Sequence, residues 1–260
     1  MTRRYALRDN QWDRIKDLLP GREDTVGVTA KDNRLFVDAV LYRYRAGIPW
    51  RDLPERFGAW KAVHTRYGRW AQSGVWENLF KHLAGDADNE YAMIDSTIVR
   101  AHQHSAGAKK NLTKTRPSGA ALKVQVPIKG GLSTRINATV DALGNPTGFV
   151  PTPGQACDLD GSDILLPLIK AQTVIADKGY DADERVVLPL AQAGKTVVIP
   201  PKRNRKVQRE YDKDIYKSRH LIENFFCKLK QFRAIATRYD KTARNFLAAI
   251  HLASVIIWLN

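Results

Sequence analysis

The sequence predicts two parts: a small all-α unit of helix-turn-helix outline, then a mixed α/β sheet flanked by helices. Three observations predict it. Over residues 1–85 apolar residues recur at three- and four-residue spacing, with no strand-like run among them. From Tyr91 onward, short alternating or continuously apolar runs take over. After an initial hairpin those runs alternate with helical stretches, which is the order of a mixed sheet covered by helices. The division falls in the polar segment GDADNE. It gives an N-terminal helical domain over 1–85, a candidate for DNA binding, and a second domain over 86–260.

In the first part, Asn10 is placed to cap a helix bearing Trp12, Ile15, Leu18 and Leu19, which Pro20 and Gly21 end. A polar loop with Gly21 and Gly27 follows. A second helix carries Leu35, Phe36, Val40, Leu41 and Tyr44 and stops at Gly47 and Pro49. Asp52 to Phe57 forms a helical turn closed by Gly58. A longer helix runs from about Trp60 to Ala71, with Val63, Tyr67 and Trp70 inward and Lys61, His64, Arg66 and Arg69 outward. Trp76, Leu79, Phe80 and Leu83 continue the pattern to Gly85. A short helix, a glycine turn and a basic second helix outline a helix-turn-helix. A plain three-helix bundle with basic faces has the same pattern.

In the second part, Tyr91 to Val99 is a strand with Asp95 inside it. Lys109 to Lys129 is a basic loop rich in Gly, Pro, Ser and Thr. Leu132 to Val140 alternates, with Leu132, Thr134, Ile136, Ala138 and Val140 on one side. The turn ALGNP leads into a strand through Phe149, Val150 and Thr152. Asp160 to Lys170 is a helix, and Thr173 to Ala176 a short buried strand ending at Asp177. Asp181 to Ala193 is a helix, Lys195 to Ile199 a strand, and a basic loop from Lys202 to Arg209 precedes a helix from Tyr216 to Lys230.

The net charge is +15 over 260 residues, which favours a polyanionic partner, with nucleic acid the commonest; a basic solvated surface is the plainer alternative. Cys157 and Cys227 form neither a disulfide framework nor a CxxC pair, and no signal peptide opens the chain, so a reducing cytoplasmic setting is expected. The longest apolar run, FLAAIHLASVIIWL, is short for a membrane span and reads as a buried core helix.

Asp95 interrupts an apolar strand, where a carboxylate is costly unless it is paired or binds a metal; a solvent-facing strand position is the alternative. Asp177 ends a buried strand, where functional residues of open α/β sheets gather, although a strand-terminal Asp is commonly a cap or turn residue. Glu223 lies on the last-named helix. At roughly 100° per residue, Tyr216, Arg219, Glu223 and Lys230 project within a sector of about 60° beside the stripe Ile222, Phe225, Phe226 and Leu229. Glu223 is also spaced for an ion pair with Arg219. Three carboxylates on neighbouring elements form a hard oxygen set that suits two Mg²⁺ or Mn²⁺ ions. Such a pair can activate a hydroxyl and stabilise a leaving oxygen at a phosphodiester. Arg219 and Lys230 are then placed to neutralise phosphate, and Tyr216 to stack on a base or bond the backbone.

The order of elements resembles the ribonuclease-H-like fold. The spacing Tyr216, Arg219, Glu223, Lys230 resembles the signature of DDE transposases of bacterial insertion sequences. AMIDSTIVRAHQHSAGAKK around Asp95 and IADKGYDADE around Asp177 are similar to the first two catalytic regions of that group, as are VDALGNP and the C-terminal RYDKTARNFLAAIHLASVIIWLN. GIPWRDLPERFG is similar to the helical domain of the insertion sequence five group. The resemblance implies that Asp95, Asp177 and Glu223 are both catalytic and metal-binding. It implies a transposase that binds terminal inverted repeats, cuts DNA and transfers the freed strand, working as at least a homodimer on element ends and target DNA. Related products can be split over two reading frames near the basic segment after Asp95. The alternatives are a ribonuclease-H-like structure-guided endonuclease, a catalytically silent DNA-binding regulator derived from a transposase, and an RNA-binding protein.

His102 and His104 could suggest a metal pair, but Cys157 and Cys227 lack zinc-site spacing, so DNA contact or site lining is the preferred reading. Asp141, Asp158 and Asp181 are rivals within the acidic set, Asp181 being nearest to Asp177. Lys109, Lys110, Lys114, Arg116, Lys123 and Lys129 form a solvated basic loop or a set of DNA-backbone contacts. Lys178, Lys61, Arg66 and Arg69 complete the expected DNA-binding residues.

Overall fold

The computed structural model describes residues 4–22, 30–106 and 133–260. The basic run from Lys109 to Lys129, Gly27 and Leu132 lie outside the described residues, as does the side chain of His104.

The first helix is shorter than expected and begins earlier. α1 is Asp9–Asp13, with Arg8 at the N-cap instead of Asn10, and the chain continues as a 3₁₀ turn, Lys16–Leu18. Ile15 and Leu19 are still buried. α2, Asn33–Ala46, is capped by the Asp32 side chain and stopped by Gly47 in the left-handed region (φ 73°). Gly47 has a second reason to be glycine: a Cβ there would lie 2.7 Å from Arg233 Cβ. Two 3₁₀ turns, Trp50–Asp52 and Glu55–Phe57, stand where one helical turn was expected. α3 is Trp60–Ser73 and α4 is Val75–Ala84, joined through Gly74.

The sheet contains β1 (Tyr91–Ala101), β2 (Ser133–Val140), β3 (Pro146–Pro153), β4 (Thr173–Ala176), β5 (Thr196–Val198) and β6 (Thr237–Arg238). Its order is β3-β2-β1-β4-β5, with β6 on the far end of β1. β1, β2 and β3 pair antiparallel, while β4 and β5 run parallel to β1. The turn between β2 and β3 is tied by Asp141, whose Oδ1 accepts from the backbone of Leu143 and Asn145 at 3.0 and 2.7 Å. The helices of this part are α5 (Gln103–Ala106), α6 (Asp158–Leu165), α7 (Leu188–Gln192), α8 (Lys213–Tyr216), α9 (His220–Lys230), α10 (Arg233–Ala236) and α11 (Ala243–Trp258). The helix expected over Tyr216 to Lys230 is thus broken by a 3₁₀ turn, Lys217–Arg219. The one expected over Asp181 to Ala193 opens with a π turn, Asp183–Val187.

Strand side chains alternate between faces. Met93, Val99, Ile136, Ala138, Val140 and Ile175 face α9 and α11, and Ala92, Ile94, Val150, Val174 and Ala176 face α6 and α7. The first of these cores also takes in Phe36, Tyr44, Tyr67, Trp76 and Phe80, so it is continuous across residue 85. α4 lies along α11, and α2 against α10. No helix among the described residues is long and apolar enough to cross a membrane; the apolar run expected to be a core helix is buried as α11.

Candidate active site

Strand parity places the acidic residues. Asp95 follows Met93 by two residues and so projects from the face covered by α9. β1 and β4 run parallel, with Ile94 opposite Ala176, which puts Asp177 one step beyond that pair, beside Asp95 and on the same face. The neighbours act on each other. Burial is the main cause that pushes the Asp95 carboxyl up to about 6, opposed by the Ser96 N–H at 2.7 Å, raised further by Asp177, lowered by Arg219 and raised by Asp158. Asp177 also does the work of a turn residue, its Oδ1 accepting from the Gly179 N–H at 2.7 Å.

The third carboxylate reaches this pair through a cation. The apolar stripe Ile222, Phe225, Phe226 and Leu229 of α9 is buried as expected. Arg219, at the head of α9, donates from Nη1 to Asp95 Oδ2 at 3.1 Å and from Nη2 to Glu223 Oε1. Arg219 therefore joins two carboxylates. Burial lowers its pKa, but Glu223, Tyr216, Asp95 and Asp177 together raise it above the usual value. Tyr216 is half-buried, set edge-on to Tyr211 with ring centroids 5.5 Å apart. Lys178 and Lys230 are exposed.

Behind the strand lies a second polar group. Ser96 Oγ donates to Asp158 Oδ1 on α6, and Arg135 of β2 donates to Ser96 Oγ at 2.9 Å and to Asp158. Tyr180 is buried beside it; burial, then the charges of Asp95, Asp158 and Asp177, push its phenol far up. Its hydroxyl has no hydrogen-bond partner among the described residues. Asp158, a rival for the acidic set, is paired with Arg135. Arg135 and Ser96 were not singled out from the sequence. The signal for Arg135 was the odd-numbered face of β2, where Arg135, Asn137 and Thr139 are polar on a strand that proves to be covered on both sides. The other rivals hold structure: Asp141 ties its turn, and Asp181 is buried in ion pairs with Arg205 and Arg209.

The donor set suits a hard divalent cation in kind. Asp95 and Asp177 are oxygen donors at one point of the sheet, and the raised Asp95 pKa marks a carboxylate short of positive charge, which a cation relieves. Among the described residues no three His, Cys, Asp or Glu side chains gather closely enough to hold one ion. The Glu223 carboxylate, 53% exposed, is held by Arg219. Cys157 and Cys227 are free and exposed, and His102 stacks on Tyr239 with centroids 4.4 Å apart.

On the N-terminal helices, Lys61 and Arg69 are exposed as expected. Arg66 departs from the outward set: its guanidinium lies over the Phe36 and Trp70 rings at 4.3 and 4.8 Å and donates to Asn33. Lys109 and Lys110 lie outside the described residues.

A helical unit packed on a mixed sheet, with Asp95 and Asp177 side by side on one face, is an α/β protein with a candidate acidic site. The family model described as a transposase DDE domain matches residues 88–258, and that of a putative transposase of the IS4/5 family matches residues 7–80. The chain belongs to the DDE transposase family of bacterial insertion sequences. It is 40% identical over 129 residues to a putative transposase for insertion sequence element IS6501 from Brucella ovis, matching 99% of that protein and 49% of this chain. It is 52% identical over 105 residues to the uncharacterized protein y4sN of Sinorhizobium fredii, matching 84% of that protein and 40% of this one. Among solved structures it is similar to the piggyBac transposase in a synaptic complex with hairpin DNA, with a TM-score of 0.47 and 11% identity over 94% of this chain and 69% of that one.

Proposed function

We propose that this transposase binds the terminal inverted repeats of its insertion sequence, cuts at their ends and transfers the freed strand to target DNA. The observation that carries the reading is the placing of Asp95 and Asp177 on one face at neighbouring strand ends, with Glu223 one guanidinium away. Strand order and directions support a ribonuclease-H-like catalytic part over 86–260, and the exposed Lys61 and Arg69 support a DNA-binding part over 1–85. Asp95, Asp177 and Glu223 would hold two Mg²⁺ or Mn²⁺ ions. Bound there, the metals would supply Lewis-acid activation of the attacking hydroxyl and charge stabilisation at the leaving oxygen. The chain's own part is to orient. Apolar packing fixes α9 on the sheet, so Glu223 approaches Asp95 from above. Once the carboxylates are otherwise neutralised, Arg219 is free to turn to a phosphate oxygen beside Tyr216, and Lys230, about three turns along the helix, offers a separate contact. Synapsis of two element ends calls for at least a homodimer on double-stranded DNA, in a bacterial cytoplasm.

The test is a strand-transfer assay. Purified protein with a terminal-repeat duplex bearing a pre-cut 3′-hydroxyl, a second duplex and Mg²⁺ is expected to yield a joined product. Asp95→Asn, Asp177→Asn and Glu223→Gln are each expected to remove it while leaving binding. Hydrolysis without joining would make the protein a nuclease of the same fold, and activity that survives all three substitutions would end the proposal.

A further inference from the structure

The loop joining β5 to α8 carries five cations in eight residues: Lys202, Arg203, Arg205, Lys206 and Arg209. A charge run of this kind is ordinarily solvated and unfixed. Here it is anchored. The Asp181 carboxylate, only 1% exposed, accepts from the Lys202 N–H at 2.7 Å, Arg205 Nε at 3.1 Å and Arg209 Nη2 at 2.8 Å. Asp183 takes a second grip on Arg205 and lies 3.7 Å from Arg209 Nη1. Within the loop, Arg205 N donates to Lys202 O at 3.0 Å and Gln208 Nε2 to Arg205 O at 3.1 Å. Two arginines are thus spent on holding the loop, and Lys202, Arg203 and Lys206 are left exposed. Fixing a free loop costs conformational entropy, so cations fixed in advance meet a ligand without that loss.

β5 runs parallel to β4, so the loop leaves the sheet at the end where Asp177 stands. Asp181, its anchor, is four residues beyond Asp177, and the loop runs on into α8 and Tyr216. An anchored cationic edge at the rim of a site for phosphodiester chemistry fits a sugar–phosphate backbone.

We propose that loop 202–209 is a preformed rail for the backbone of a DNA duplex entering the site, with Lys202, Arg203 and Lys206 as its phosphate contacts and Asp181 as the residue that positions it. The assignment rests on the DNA-processing reading above. Anisotropy of a labelled duplex, titrated across a salt series with the full chain, tests it. Lys202→Gln, Arg203→Gln and Lys206→Gln combined are expected to reduce the slope of log K against log salt by roughly 2–3, at about 0.9 per lost contact. Asp181→Asn is the sharper test. It makes the protein more positive, so a loop acting by charge alone binds DNA more tightly, whereas an unanchored rail binds severalfold more weakly. Asp183→Asn, at a half-exposed anchor, gives the same comparison should Asp181→Asn fail to show a cooperative melt. An unchanged slope in the triple variant, or tighter binding on loss of the anchor, overturns the proposal while leaving the transposase reading intact. Absence of duplex binding by the unaltered chain removes both.

Discussion

Arg219 is one of two groups that oppose the desolvation of the acidic site. Asp95 is desolvated, with 19% of its side chain exposed, and Asp177 adds a like charge beside it; the Ser96 N–H and Arg219 are what oppose these. Arg219→Gln therefore leaves a mostly buried carboxylate short of compensation and is expected to cost about 1–3 kcal/mol at neutral pH. Urea denaturation would read it. Adding Asp95→Asn to the same chain is expected to recover most of the loss, because the two effects are coupled. An additive pair of losses would show that the contact does not hold Asp95. The i,i+4 pair of Arg219 with Glu223 was legible from spacing alone. Its reach to Asp95, 124 residues away, was not, since periodicity says which side chains share a face and nothing of what that face meets. For the same reason Tyr180, Arg135 and the buried state of Asp181 stayed hidden, as each depends on which element covers it.

Most strands could be read closely because both ends are marked by breakers. Thr173–Ala176 falls where expected, and Thr196–Val198 lies within its expected run. Helices fared less evenly. α2 and α4 end where glycine ends them, whereas α1 and the segment before α9 turn to 3₁₀ geometry that apolar spacing does not distinguish from α. α11 was legible as a core helix by its apolar content, and it carries one titratable group inside. His251 stacks on Phe80, with ring centroids 5.1 Å apart, and lies 6.0 Å from Phe149. Burial lowers its imidazole to about 4, with Glu77 raising it and Lys81 lowering it. The unfolded chain takes up a proton near pH 6.5 that the folded chain refuses until about pH 4. Stability from this group is thus full above 6.5 and falls as the pH drops toward 4, by up to about 3 kcal/mol. His251→Gln is expected to flatten the difference in denaturation free energy between pH 7 and pH 4.5 relative to the unaltered protein. Equal losses in both would place the acid sensitivity elsewhere.

At the scale of the molecule, the boundary in GDADNE marks a change of period without marking a break in the core. Tyr44 of α2 donates to Asp240 Oδ2 at 2.9 Å, and the Tyr44 and Tyr67 hydroxyls lie 2.9 Å apart. Arg43, 3% exposed, lies 3.7 Å from the same carboxylate. Arg238 donates to the Asp240 carbonyl. Burial, with the charge of Asp240 adding to it, raises both phenols well above their usual range. Asp240→Asn strips this junction of its only carboxylate among the described residues and leaves the Arg43 charge enclosed. It is expected to cost about 3–5 kcal/mol. It is also expected to lower the melting of both parts together, followed by tryptophan fluorescence from the N-terminal helices and by circular dichroism of the whole. Two separated transitions would mean that the parts stand independently.

The packing of α4 along α11 carries a consequence for how the protein is made. The stripe Trp76, Leu79, Phe80 and Leu83 leaves the ribosome roughly 160 residues before the helix that covers it. At about 5–20 residues per second, that is a delay on the order of 10–30 s during which the side of the stripe that meets α11 stays uncovered, while Trp76 already has Phe36, Tyr67 and Trp70 to pack on. Premature termination anywhere before α11 would release a polypeptide with the α11-facing side of that stripe uncovered. Chaperones and proteases would meet it first, so the supply of working protein would depend on how quickly the last helix is translated.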